Sequence, residues 1–247
     1  MGSSLFPSVE RTLRALLGGH RLQRVSPQVS ARKLEFLHEV DILRDLTPDE
    51  MLWLKDTTEM VTCEEGRVIY SQDDEAEVLF ILKRGRVQLY RTTPDGKKLE
   101  IATIGAGTFF GEMPLVGQRM HQAFAEAVAE SLICVMSRED VERLIARKPQ
   151  VALRMLEVLS ERLSVSESRL EALAFHSVPS RLAAELLRLD DGEGVHTTHQ
   201  ELAEMIGSYR ETVTKALDEF QRDGLVELGR GRVAIRDRAR LQSRVHE

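Results

Sequence analysis

Cysteine is nearly absent from this chain. Of 247 residues, only Cys63 and Cys134 carry a thiol. They lie far apart, and neither has a second Cys or a His at metal-ligand spacing. That argues against a disulfide framework or a zinc site, and two small, buried, reduced residues are expected. No apolar run is long enough to span a bilayer. The N-terminus lacks the charged, apolar, small-residue order of a secretory signal, so residence in the cytoplasm is expected. An excess of positive charge is also missing: 34 Lys and Arg against 40 Asp and Glu leave a formal net charge of -6. This speaks against indiscriminate nucleic-acid binding but leaves room for a local basic surface. There is no P-loop, nucleophile elbow or dinucleotide fingerprint. His38, His121, His176, His196 and His199 are scattered over different segments. A metal-dependent, cupin-like enzyme would need His and carboxylates gathered together, so an enzyme is the distant alternative and no metal site is expected.

What is present is a composition of 42% hydrophobic and 30% charged residues, ordinary for globular domains. The length suits two modest domains with connectors. The most informative stretch is residues 198–220, THQELAEMIGSYRETVTKALDEF. Leu202, Ala203 and Ile206 mark the apolar face of a first short helix. Gly207 follows, where a tight turn needs a residue without a side chain. Val213, Ala216, Leu217 and Phe220 then recur at i, i+3, i+4, i+7, the stripe of a second helix. Arg210, Glu211, Thr214 and Lys215 share its other face. Thr198 with Glu201, and Ser208 with Glu211, read as capping boxes. The spacing fits a helix-turn-helix whose second helix enters a major groove; an ordinary helical hairpin with a solvated face fits it as well.

The flanks favour the first reading. Leu225-Val226-Glu227-Leu228 and Arg232-Val233-Ala234-Ile235 are β-type runs joined by Gly229-Arg230-Gly231. This is a hairpin signal and suggests a wing. Arg230, Arg232, Arg236, Arg238 and Arg240 crowd it, as phosphate contacts or as a solvated basic tail. The expected DNA-facing set is Thr198, Gln200, Tyr209, Arg210, Glu211, Thr214 and Lys215, with Arg230 and Arg232 from the wing.

Upstream, residues 1–32 read as an extension of unknown role, loose apart from a short amphipathic helix over residues 9–17. Thr47-Pro48-Asp49-Glu50 is a capping box with proline at the first helical position. Between about 58 and 137 the text changes to strands: residues 67–70, 77–82, 86–91 and 98–104, with Thr93-Pro94-Asp95-Gly96 a turn. Many short strands at regular spacing predict an antiparallel sandwich or roll. Residues 138–146 predict a short helix, and 149–175 a long one. Leu156, Leu163 and Leu170 occupy one heptad position of the long helix; Leu159, Ser166 and Leu173 occupy another. That seam predicts a homodimer, the alternative being a helix packed on its own β-domain. The fold class is therefore α+β: a roll over 33–148, a dimerisation helix over 149–175 and a winged helix-turn-helix over 176–247.

The string GSYRETVTKALDEFQRDGLVEL resembles the recognition region of the Crp/Fnr family of bacterial transcription regulators. The resemblance covers roughly residues 35–240. It implies that Arg210 and Glu211 read a G and a C of a TGTGA-like palindrome. A third reader, Arg in the cyclic-AMP receptor branch, falls on Lys215, which lacks the planar fork. The strand region resembles the family's cyclic-nucleotide-binding domain. Gly85, Gly96, Gly107 and Gly111 fall at its turn glycines, and Asp73 stands where another is usual. The resemblance further implies dimerisation through the long helix and contact with RNA polymerase as an activator. The loop often used for that contact is short and acidic here, Asp190-Asp191-Gly192-Glu193-Gly194. Two cysteines are too few for the iron–sulfur cluster of one branch.

In the effector pocket the likeness is partial. Phe110-Gly111-Glu112 matches the ligand-cradling string. His121 and Gln122 stand where an Arg-Ser pair would neutralise the ligand phosphate. On the long helix, Ser166 keeps a hydroxyl where the family has Thr, and Glu167 replaces a Ser. The pocket candidates are thus Gly111, Glu112, His121, Gln122, Ser166 and Glu167. Cyclic AMP lacks its main counter-charge there, so no cofactor is expected and DNA binding without cyclic AMP is the favoured reading. Gating by cyclic AMP or another ligand is the alternative.

Overall fold

The computed structural model describes residues 22–26, 30, 32–71, 74, 78–93, 96, 98–111 and 123–246. It divides into two compact units. One holds the described residues up to Arg91 with Ile101–Arg162; the other holds Thr92–Glu100 and Leu163 onward.

The first unit is built on an antiparallel sheet. Its strands are β1 (Gln23–Arg24), β2 (Glu59–Cys63), β3 (Val68–Tyr70), β4 (Val78–Thr92), β5 (Lys98–Gly105), β6 (Phe109–Phe110) and β7 (Phe124–Ser137). The order is β1-β2-β7-β4-β5, with β3 also pairing with β7 and β6 with β4. Alternation along β4 and β7 gives the sheet two buried faces. Phe80, Leu82, Ile133 and Val135 join Tyr70 and Phe110 inside the roll. Leu79, Ile81, Leu132 and Cys134 face helices α1 (Lys33–His38), α2 (Pro48–Thr57), α3 (Arg138–Arg147) and the start of α4 (Pro149–Phe175). Cys63 and Cys134 are both buried, in different clusters. Burial pushes the Cys63 thiol up to about 11.

Three differences from the sequence expectation have physical reasons. The runs expected at 77–82 and 86–91 are one strand, β4, whose register shifts repeatedly between Leu82 and Val87. Gly85 lies at this bulge, not in a turn. Its φ is +95°, and a Cβ there would come within 2.5 Å of the Glu130 carbonyl oxygen. Residues 22–26, expected in a loose extension, are tied down: Gln23 and Arg24 pair with β2, and Leu22 is buried in the roll. The helix expected over residues 9–17 lies outside the described residues, as does Asp73.

Two buried lysines mark the helix-covered face. Lys33 donates to the carbonyls of Lys55 and Thr58. Lys83, on β4, is 6% exposed, and its Nζ has no hydrogen-bond partner among the described residues. Burial pushes its ammonium group down to about 8.

The second unit contains the rest of α4 and then α5 (Val178–Leu189), β8 (Val195–His196), α6 (His199–Met205), α7 (Arg210–Arg222), β9 (Val226–Gly229), β10 (Arg232–Ile235) and α8 (Arg238–Ser243). Leu182 and Leu186 of α5, Leu202 of α6 and the α7 stripe share one core with Val195, Val226 and Val233 of the small sheet. The sheet order is β8-β10-β9. Gly229 pairs with Arg232, leaving Arg230 and Gly231 as a two-residue hairpin loop.

Candidate DNA-recognition surface

Helix α6 starts where the sequence said. Thr198 Oγ1 accepts from the Glu201 backbone N–H at 3.2 Å, and the Thr198 N–H donates to Glu201 Oε2 at 2.7 Å. Burial works against ionisation of Glu201. Hydrogen bonds from the Thr198 backbone and from the Thr198 and Thr197 side chains nevertheless hold it below the usual range. Gln200 is exposed and donates to Glu204 at 2.7 Å.

The second capping box does not form. Ser208 is buried, and its N–H donates to the Ala203 carbonyl at 2.8 Å within the turn. The helix therefore begins at Arg210, with Tyr209 as its N-cap and no side-chain cap. Gly207 has a φ of +65°, and a Cβ there would press within 3.3 Å of Leu173 and Leu99. Only a glycine takes this turn without strain.

Val213, Ala216, Leu217 and Phe220 are buried as the stripe requires, none above 5% exposed. Arg210, Glu211 and Lys215 are exposed, with no hydrogen bond or ion pair among the described residues. Glu211 at the start of a helix is favoured by the helix dipole. Tyr209 is exposed beside them. Thr214, at i+4 from Arg210 on the same face, is half-buried, and its Oγ1 lies 2.9 Å from His199 Nδ1. Sequence reasoning did not single out His199 for this surface. A contact across 15 residues between two helices leaves no mark in periodicity.

The wing is less available than its arginine count suggests. Arg232 donates to the Glu193 carbonyl. Arg236 pairs with Glu227 across the hairpin, and Arg238 with Asp190 at 2.6 Å. Arg240 donates to the Asp223 carbonyl at 3.2 Å. Arg230, at the hairpin tip, is exposed and without a partner among the described residues.

Of the effector candidates, Gly111 follows β6 with a φ of +76°, backbone that favours glycine. Gly85, Gly96 and Gly107 also have positive φ, as turn or bulge glycines do. Ser166 and Glu167 are exposed on α4. Glu112, His121 and Gln122 lie outside the described residues. On the expected dimer seam, Leu156, Leu163 and Leu170 are 60%, 59% and 67% exposed, and Leu173 and Ser166 are exposed too. Leu159 instead packs in part against the helix-covered cluster of the roll. Leu153, Val165 and Phe175 are further exposed apolar residues of α4 that the heptad reading omitted. No described helix is long and apolar enough to cross a membrane. Among the described residues no three His, Cys, Asp or Glu side chains gather as a metal site would need.

Known proteins share both parts. The cyclic nucleotide-binding domain family matches residues 60–148, and the Crp-like helix-turn-helix domain family matches residues 180–244. The chain is 35% identical to the cyclic AMP receptor protein of Thermus thermophilus over 72% of its own length and 84% of the relative's. It is 29% identical to the CRP-like cAMP-activated global transcriptional regulator of Mycobacterium tuberculosis over 85% of its length and 98% of that protein's. A crystal structure of a Crp/Fnr-family regulator from Eubacterium rectale superposes with a TM-score of 0.74 at 21% identity, covering 85% of this chain and all of the other. The relatives are transcription regulators rather than enzymes. With its cyclic-nucleotide-binding-type roll and its DNA-binding winged helix-turn-helix, the chain belongs to the Crp/Fnr family of transcription regulators.

Proposed function

We propose that this regulator binds DNA as a homodimer, reads a TGTGA-like palindrome through Arg210, Glu211 and Lys215, and does so without cyclic AMP. One observation carries the reading of DNA: the open start of α7 presents these three side chains without partners among the described residues. Arg at the start of a recognition helix is suited to guanine, the commonest specific contact. Arg230 at the wing tip is suited to a phosphate and sets register. The homodimer is supported by the exposed leucines of α4, since a heptad seam left outside a monomer's core needs a second helix. Two-fold symmetry then requires a two-fold site. We further infer activation by contact with RNA polymerase, as the family resemblance suggests.

Independence from cyclic AMP rests on His121 and Gln122 standing where the phosphate-binding Arg-Ser pair would be. A ligand shifts an equilibrium only by its differential affinity for two states, and an anion without its counter-charge gains little in either. The second reading, gating by cyclic AMP, is favoured by the names of the Thermus and Mycobacterium relatives. DNA titration with and without cyclic AMP separates the two, with calorimetry on wild type and on the His121→Arg, Gln122→Ser double variant. Palindrome binding that ignores the nucleotide in wild type, with nucleotide binding gained in the double variant, supports the first. Tight wild-type binding that raises DNA affinity about tenfold or more establishes the second. Arg210→Ala should weaken the palindrome by about 1–3 kcal/mol and relax one position; an unchanged preference in a randomised-site selection would overturn the assignment.

A further inference from the structure

We propose that His199 is a positioning residue for base reading: its ring holds the hydroxyl of Thr214 so that Thr214 faces the groove as a hydrogen-bond acceptor. The inference rests on α7 being the base-reading helix. Thr214 lies one turn beyond Arg210 on the same helical face and is half-buried. A free threonine hydroxyl carries one donor and two acceptor sites and rotates to suit either kind of base edge. It therefore discriminates poorly. Here it is not free, because His199 Nδ1 lies 2.9 Å from Oγ1. The proposal assigns the imidazole hydrogen to Nε2, so that Nδ1 accepts and Thr214 gives its single hydrogen to the ring. What remains toward the groove is lone pairs. These match the N6 amino group of adenine or the N4 amino group of cytosine, and they repel the carbonyl edges of guanine and thymine. The first residue of α6 thus sets the polarity of a side chain on α7.

The arrangement distinguishes this role from a plain phosphate contact, because the two ring nitrogens have different replacements. Asparagine can place its amide oxygen near the position of Nδ1, whereas glutamine reaches only toward that of Nε2. The test is a randomised-site selection, followed by titration of the selected palindrome, on the full-length wild type, Thr214→Val, Thr214→Ser, His199→Asn, His199→Gln and Arg210→Ala. Wild type should enrich A or C at one position per half-site, distinct from the guanine assigned to Arg210. Thr214→Val and His199→Gln should both lose that preference, weakening the selected site roughly five- to tenfold, the worth of one hydrogen bond, with other positions intact. Thr214→Ser and His199→Asn should keep it. If Arg210→Ala relaxes its own position while Thr214→Val and His199→Gln relax none, the proposed strut is wrong and the reading of α7 stands. If His199→Gln keeps every preference and His199→Asn weakens all sequences equally with a shallower salt dependence, His199 is a phosphate contact instead. If Arg210→Ala also relaxes nothing, α7 does not read bases and the inference falls with it.

Discussion

Helix α7 buries its apolar stripe, and α4 leaves much of its own in water. Val213 and Leu217 are fully buried, whereas Leu163 and Leu170 are more than half exposed. Both stripes obey helical or heptad periodicity, so periodicity alone does not say which core a stripe belongs to. The charges show a similar contrast. Among the described residues, Arg210 and Lys215 are exposed on α7 without partners, and Lys83 is buried in the roll without one. An apolar stripe left exposed and a cation left unpaired each have room for something from outside: in the function proposed above, a second copy in the first case and a nucleic acid in the second. Lys83 differs from both: among the described residues its ammonium group has no hydrogen-bond partner, and it is shut away from solvent.

The contrast is broken most severely at Leu163. Leu163→Glu would set two carboxylates against each other in a sealed seam, and burying such like charges is strongly unfavourable. Sedimentation should show monomer, and palindrome affinity should fall roughly a hundredfold or more, the equivalent of about 3–5 kcal/mol. A variant that sediments like wild type would mean that the stripe has no such partner. Leu217→Ala sharpens the same comparison from the other side. A buried leucine cut to alanine costs about 2–5 kcal/mol, so thermal unfolding of the C-terminal unit should move down. Leu163→Ala should leave the unfolding of the isolated monomer within about 0.5 kcal/mol, as for exposed positions.

One expected effect has the opposite sign. Lys83→Met should stabilise the roll, because the amine's fall from 10.5 to about 8 corresponds to something on the order of 3 kcal/mol at most. The folded protein releases this proton more readily than the unfolded chain. The penalty is therefore fully present below about pH 8 and disappears as pH rises toward 10.5. Denaturant titrations of wild type and variant should diverge at neutral pH and converge at alkaline pH. A gap independent of pH would indicate a packing gain alone.

Features set by residues close in sequence were legible in advance. The α7 stripe and the Thr198–Glu201 box are written within a few residues, and both formed. The Ser208 box was misread because its N–H goes to Ala203, in the preceding helix, and the turn removes it from the helix start. Gly85 was misread because a bulge and a turn both ask for glycine; the register shift that separates them depends on the partner strand β7. The wing arginines looked free because their partners lie elsewhere: Asp190 is far from Arg238 in sequence, and Glu227 is across a hairpin. Burial of Lys83 was invisible because lysine is almost never fully buried unless paired. At the candidate site, the placing of Arg210, Glu211 and Lys215 on the exposed face of α7 was legible in the sequence. His199, whose meaning lies in a contact between helices, was not.

Lys83 also supplies a clock. Its amine is uncharged in a large fraction of molecules near pH 8, the form that attacks acylating reagents, yet its Nζ is sealed from solvent by the packing over β4. Exposed lysines react with such a reagent at a rate set by their own protonation and its chemistry, while Lys83 must also wait for that packing to open. Its labelling half-life, read by peptide mass, therefore counts local openings of the helix-covered face in a protein that is otherwise native.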